Sequence, residues 1–324
     1  MTSSLLRTNG SLGSHPTSRF FVLGFEDRSI SLTASGRTQL FKPRLSRSLL
    51  LKVKPNMCFL VPNPRLSLLA LVVVPLCATS LCAKEAQALL NYEKRKAGKY
   101  EKSMLQVDSN KQLKYLDSTS RLEVAAEKDK QGIENKFLRV TYPVGGVGSK
   151  NSGAQFKVKL PPSSEYTLEY RFRFQPGFDF RKGGKLPGIC GGACNTGKKR
   201  PDGTGWSLRY MWREEGQLFA YLYHMDQPNE YGEYIPLDTS IKQGQWHHIL
   251  QRVKLNRPRQ RDGELQVWVD GKQRMTRKGI AFRKDGQAPI DTFYFSTFFG
   301  GSKKTWAPKV KSFADFDDFR VRQL

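Results

Sequence analysis

Hydrophobic and polar residues alternate with period two through most of the second half of this chain. Tyr166, Leu168, Tyr170, Phe172 and Phe174 alternate with Thr167, Glu169, Arg171 and Arg173. Trp206, Leu208, Tyr210 and Trp212 alternate with Ser207, Arg209, Met211 and Arg213, and Leu218, Ala220 and Leu222 with Phe219, Tyr221 and Tyr223. Such runs predict strands with one buried face. Phe137–Tyr142, Ala154–Leu160, Trp246–Leu255, Leu265–Asp270, Asp291–Phe299 and Phe316–Arg322 also read as strands, punctuated by Gly and Pro. Many short strands and few helices predict an all-β fold, a two-sheet antiparallel sandwich or jelly roll, over residues 135–324. A stretch of that length buries a full core.

The two runs flanking Glu214-Glu215-Gly216 predict a β-hairpin, and its register can be constrained. With Arg213 opposite Gln217, Arg209 faces Tyr221 and Ser207 faces Tyr223. A slip of one residue would send the tyrosines to the other face. In this register a hydroxyl, a guanidinium and two phenols share one sheet surface within cross-strand reach. A glycine-rich loop carrying Lys185 (GGKLPGICGG) leads into the hairpin. A merely solvated outer sheet face is the competing interpretation of the same pattern.

The front of the chain has a different texture. Leu66–Ala83 (LSLLALVVVPLCATSLCA) follows Arg65 and ends in a small-residue site, which predicts a signal peptide over 57–83 counted from Met57. The run contains Pro75 and is short for a membrane span, so no stable membrane association is expected after cleavage. Residues 1–56 are then an upstream extension or, being Ser- and Arg-rich with few acids, an organelle transit segment. Secretion is the expected localisation, with organelle targeting as the alternative. Residues 84–134 are expected to be a charged linker or leader, with a short helix over 85–95.

The net charge of +25 predicts a polyanionic partner. Residues 1–83 hold 10 of the 54 Lys and Arg and 2 of the 29 Asp and Glu, which leaves +17 on the remainder. Cys58, Cys77 and Cys82 fall in the signal-like region, leaving Cys190 and Cys194. In an exported domain that pair favours a small disulfide ring. With His224, His247 and His248 the only histidines downstream and no second close-spaced pair of ligands, no metal site and no cofactor is expected. The histidines are assigned to structure. Asp179, Asp317 and Asp318 show no paired arrangement of the glycoside hydrolase kind.

In chain order, FDFRKGGKLPGICGG, WSLRYMWR, FAYLY, WHHILQRVKLN, DGELQVWVDGK, FYFSTFFGGS and FDDFRV resemble polysaccharide lyase family 14, which contains alginate and glucuronan lyases. The neighbouring glucuronan lyase family 20 is similar. The resemblance spans roughly residues 135–324 and implies a jelly roll with a polyanion cleft, cleaving acidic polysaccharide endolytically by β-elimination without a metal. It carries the family's functional lysine onto Lys185, its serine and arginine onto Ser207 and Arg209, and its two tyrosines onto Tyr221 and Tyr223. The cluster Lys198-Lys199-Arg200 departs from the family pattern.

Elimination at a uronate requires neutralisation of the carboxylate, a base for the proton on carbon 5 and an acid for the leaving oxygen. Arg209 or Lys185 suits the first task, and Tyr221, Tyr223 and Lys185 remain open for the other two. Neighbouring cations would favour a phenolate. Ser207 is expected to orient substrate or a phenol. Arg171, Arg173, Lys303 and Lys304 are candidate substrate-binding residues, the last two after the aromatic-glycine run Phe298–Gly301. A non-catalytic lectin-like jelly roll is the alternative function. A nucleic-acid binder is disfavoured by the signal-like segment and the cysteine pair. The sequence is silent on oligomeric state and on which uronate is preferred.

Overall fold

The computed structural model describes residues 85–324, so the signal-like and upstream segments lie outside the described residues. The chain order is β1 (Gln87–Leu90), β2 (Gly98–Lys99), α1 (Lys102–Asp108), β3 (Leu113–Leu116), β4 (Leu122–Lys128), β5 (Glu134–Tyr142), α2 (Gly148–Asn151), β6 (Ala154–Ser163), β7 (Glu165–Phe174) and β8 (Gly184–Gly192). Then follow β9 (Gly205–Trp212), β10 (Gln217–Tyr223), β11 (Glu233–Ser240), β12 (His247–Lys254), β13 (Gly263–Val269), β14 (Lys272–Ile280), β15 (Ile290–Thr297) and β16 (Ser312–Gln323). One sheet has the order β14-β13-β12-β7-β16-β5-β4-β2, with β1 also paired to β16, and the other β11-β10-β9-β8-β15-β6-β3. Every pairing is antiparallel. This is the two-sheet sandwich that the alternation predicts.

The core lies between the inner faces. Tyr142, Phe172, Phe174, Phe178, Trp212 and Phe299 form its aromatic centre, with most ring pairs edge to face. Burying each such ring stabilises the fold by about 1.5–3 kcal/mol. Trp206, Leu208, Tyr210, Leu218, Ala220 and Leu222 also face inward, so their alternate neighbours in β9 and β10 must face outward.

Residues 84–134 are not a linker. Four strands come from this segment, and β1 pairs with the C-terminal strand through Gln87↔Val321 and Ala88↔Arg320. The helix expected over 85–95 is replaced by β1, and the segment's helix is α1 instead. Helix-favouring composition gives way because Leu90, Tyr92, Tyr100, Leu105, Leu122 and Val124 all enter the core. Tertiary burial outweighs local propensity here. Among the described residues no helix is long and apolar enough to cross a membrane.

Candidate active site

The predicted hairpin has the predicted register: Arg209 pairs with Tyr221 and Ser207 with Tyr223. The Arg213 amide donates to the Gln217 carbonyl at 2.8 Å, closing the turn. Glu215 and Gly216 adopt left-handed φ values of 58° and 75°. A Cβ at residue 216 would lie 2.5 Å from the Ile241 carbonyl oxygen, so glycine is required there. With this register fixed, the outer face of the seven-stranded sheet floors a cleft of ≈ 570 Å³, lined among others by Lys185, Arg209, Met211, Tyr221, Tyr223 and Tyr294.

Lys185 stands on β8 opposite Met211 of β9, and its backbone amide donates to the Phe298 carbonyl at 2.9 Å. Its side chain is buried. The Nζ donates to Met211 Sδ at 2.8 Å and sits 3.8 Å from the centroid of the Tyr221 ring. A thioether and a ring face replace water poorly. Burial, followed by repulsion from Arg209 and Arg213, holds this amine well below the usual lysine range.

Arg209 is buried too. Its Nη1 donates to Ser296 Oγ at 3.3 Å, and its guanidinium lies 5.1 Å from the Tyr294 ring and 5.5 Å from the Tyr221 ring. Its Nε has no hydrogen-bond partner and no carboxylate pairs with it among the described residues. A buried guanidinium with an unspent donor is chemically suited to binding an anion.

The phenols of Tyr221 and Tyr223 are 3.0 Å apart. The Tyr223 hydroxyl donates to the Gly197 carbonyl at 2.9 Å, so the shared hydrogen belongs to Tyr221. Burial and the bond to Tyr223 push the Tyr221 phenol up, and Arg209 only partly offsets them. The expectation that neighbouring cations would favour its phenolate is therefore not met: desolvation wins, and Tyr221 keeps its proton.

Gly197 belongs to the segment that follows the Cys190–Cys194 disulfide, and Thr196 and Gly197 line the cleft. Ser207 is fully buried and its hydroxyl donates to the Asn195 carbonyl at 2.6 Å. Ser207 therefore does not reach the cleft. It ties the disulfide-closed segment to β9, and that segment in turn holds Tyr223. The basic cluster contributes Lys198, which pairs with Glu230 at 3.6 Å across two cleft-bordering loops.

Arg171 and Arg173 lie on β7, in the other sheet. Arg173 Nη2 pairs with Glu127 and Asp315 at 2.8 Å each, and Arg171 with Asp317 at 3.1 Å and Asp318 at 2.6 Å. The Trp246 ring lies 4.5 Å from the Arg173 guanidinium and 5.1 Å from that of Arg171. These arginines neutralise buried acids and do not line the cleft, which corrects their assignment as substrate-binding groups. Lys303 and Lys304 are exposed on the loop that borders the cleft, but it is their neighbours Ser302 and Trp306 that line it.

The histidines are held by acids: His224 by Glu233 at 2.8 Å, His247 by Asp270 at 2.8 Å and His248 by Glu169 at 3.0 Å. The first pair braces the β10–β11 hairpin, which brings Tyr231 and Tyr234 to the cleft. Within its loop, fully buried Gln227 donates to the carbonyls of Asn229, Glu230 and Tyr231. Met211, Tyr231, Tyr234, Tyr294 and Trp306 were not singled out from sequence. The outward alternation of β9 already exposed Met211, whereas the loop residues carried no such signal. Among the described residues no group of three or more His, Cys, Asp and Glu side chains is placed to hold a metal.

Known proteins resemble this chain in sequence or fold to differing extents. The chain is 28% identical over 197 residues to the exolysin of Paramecium bursaria Chlorella virus 1, covering 50% of this chain and 29% of the viral protein, so it spans under a third of that relative. The solved alginate lyase Aly36B is 29% identical with a TM-score of 0.63, over 72% of this chain and 96% of that one. Variants of Aly36B with a lysine and a methionine, or a lysine and a tyrosine, replaced by alanine have been solved with an alginate trisaccharide and tetrasaccharide. The PL-14 alginate lyase of Aplysia kurodai, 22% identical over 75% of this chain and 99% of its own, shares the fold with a TM-score of 0.61. The family model for polysaccharide lyase 14 matches residues 130–319, more than half of the sequence. The chain therefore belongs to the polysaccharide lyase 14 family, and its β-sandwich is a polysaccharide lyase domain.

Proposed function

We propose that this domain cleaves poly-uronates such as alginate or glucuronan by β-elimination at the 4-O-glycosidic bond, leaving unsaturated uronate ends. The observation that carries this reading is the convergence, in one cleft, of a buried lysine with a depressed pKa, an unpaired buried guanidinium and a phenol that keeps its proton. Arg209 binds the carboxylate of the reacting sugar and stabilises the negative charge that develops beside carbon 5. Lys185, neutral more readily than an ordinary lysine, takes the proton from carbon 5. The electron pair of that C–H bond forms the double bond between carbons 4 and 5, and the bond from carbon 4 to the bridging oxygen breaks. Tyr221 gives its proton to the departing oxygen, its hydroxyl turning from Tyr223 toward the substrate. Tyr223, anchored on Gly197, positions Tyr221.

A lysine, a methionine and a tyrosine were the residues replaced in the Aly36B complexes, and here Lys185 touches both Met211 and Tyr221. The basic chain and the signal-like segment from Met57 fit export toward an acidic extracellular polymer. The test is ultraviolet absorbance from unsaturated ends when residues 84–324 are mixed with polymannuronate, polyguluronate or polyglucuronate. Absorbance rising with one polymer and lost in Lys185→Ala supports the reading and identifies the substrate. Binding of a polymer with no rise from any of them would point to a lectin.

A further inference from the structure

The outer face of the seven-stranded sheet carries a row of side chains that crosses its strands, interrupted only at β8 by a glycine. The register sets Tyr115 of β3 opposite Lys157 of β6, Lys157 opposite Tyr294 of β15, and Tyr294 opposite Gly188 of β8. The row resumes with Arg209 of β9 opposite Tyr221 of β10, and Tyr221 opposite Tyr234 of β11. Cations and rings interleave along it. Arg209 lies between the Tyr221 and Tyr294 rings, and Lys157 Nζ lies 4.6 Å from the Tyr294 centroid and 5.8 Å from that of Tyr115. At residue 188 a Cβ would lie 2.0 Å from the Leu208 carbonyl oxygen. The bare backbone there lets Arg209 reach past β8 to Tyr294.

The cleft proper ends near Tyr294 and Gln155. Lys157 and Tyr115 continue the row one and two strands beyond Tyr294, a further ~5 and ~10 Å at the usual strand spacing. A 1,4-linked pyranose chain advances by a similar step per sugar. Tyr115 belongs to β3, which precedes the family match at residues 130–319.

Lys157 makes no ion pair among the described residues, Asp291 acting on it only at longer range, and its ammonium lies over two ring faces. Tyr115 is 43% exposed, so its ring is open to a ligand. The nearby acids are already engaged. Asp117 accepts from the Tyr115 hydroxyl and from Gln155, and Asp291 accepts from Thr292. A free cation beside an exposed aromatic face is the pair of groups that recognises a uronate, the cation taking its carboxylate and the ring its apolar face.

We propose that Lys157 and Tyr115 form a distal uronate subsite, so that a bound chain crosses the strands of the sheet and extends one to two sugars past the cleft. Strand β3 thereby lengthens the binding surface. This inference rests on the poly-uronate reading of the cleft.

The test uses size-defined oligouronates, from trimer to octamer, of whichever polymer the domain cleaves. Wild type is compared with Tyr115→Ala and Lys157→Met, the latter preserving the aliphatic stem, after melting curves show both folded. In the variants kcat/KM should fall by about tenfold on the longest oligomers and progressively less on shorter ones. A loss equal at every length, or no loss, would overturn the subsite. If the wild type produces no unsaturated ends from any polymer, the lyase reading fails, and calorimetry with the same oligomers still decides the subsite. About tenfold weaker binding of the octamer by the variants supports it, and unchanged binding refutes it.

Discussion

Replacing Lys185 by methionine should sharply lower activity and at the same time stabilise the fold. The side chain is 8% exposed, and its ammonium rests on a thioether and a ring. An unfolded chain binds the lysine proton up to about pH 10.4. The folded chain releases it earlier, because burial and the charges of Arg209 and Arg213 oppose it. Between those two points the unfolded state holds more protons, so wild-type stability rises with pH across the window. Below the folded-state value the penalty is present in full, at about 1.4 kcal/mol for each unit of depression. Each kcal/mol moves the midpoint of a domain this size by about 2–4 °C. Lys185→Met should therefore melt about 3 °C or more above wild type at pH 7, with the gap closing as pH approaches 10. Turnover should fall by about 10²–10⁴, the usual contribution of a positioned base. Lys185→Arg, which keeps the charge but cannot deprotonate, should lose activity to a similar degree without the gain in stability. Calorimetry over pH 6–10 beside the absorbance assay provides both readouts. A methionine variant that keeps most of its activity, or one less stable than wild type by a pH-independent margin, would refute the assignment.

Other perturbations probe the supports of the site. Tyr221→Phe should lower kcat by about 10²–10⁴ with little change in KM, as expected for a lost acid, whereas Tyr223→Phe should cost about tenfold through lost positioning. Cys190→Ser should lower stability by about 2 kcal/mol for so short a ring, and should reduce kcat because the Gly197 carbonyl no longer holds Tyr223 firmly. Adding reductant to wild type should reproduce both effects. Arg173→Ala leaves fully buried Asp315 with Arg139 as its remaining cation, and should cost about 3 kcal/mol in urea unfolding with kcat/KM preserved.

Period-two alternation with a short closed turn determines both faces of a hairpin, which is why the register of Arg209 with Tyr221 and Ser207 with Tyr223 could be read from the chain. Alternation does not say what faces an outward residue. Arg171 and Arg173 alternate as cleft residues would, yet their partners Asp317 and Asp315 lie 146 and 142 residues away along the chain. Ser207 also sits on the outward face, but the segment behind the disulfide folds over it, a contact made by backbone carbonyls that leave no trace in side-chain pattern. Strands β1 and β3 are four residues each, and their sheet partners lie far away in sequence, so local composition pointed to a helical leader. Short strands held by distant partners are where local propensity carries least information.

Several basic residues of the two sheets differ in whether a carboxylate meets them. On the nine-stranded sheet Arg139, Arg171 and Arg173 are each matched with carboxylates. On the cleft sheet Lys157 and Arg209 meet rings instead, as does Arg213, between Tyr234 and Trp306. The uncompensated charge of those groups is thus gathered at the cleft face. At the cleft these cations would add a local attraction for a polyanion. Encounter rates should accordingly fall steeply as ionic strength shortens the Debye length toward 8 Å.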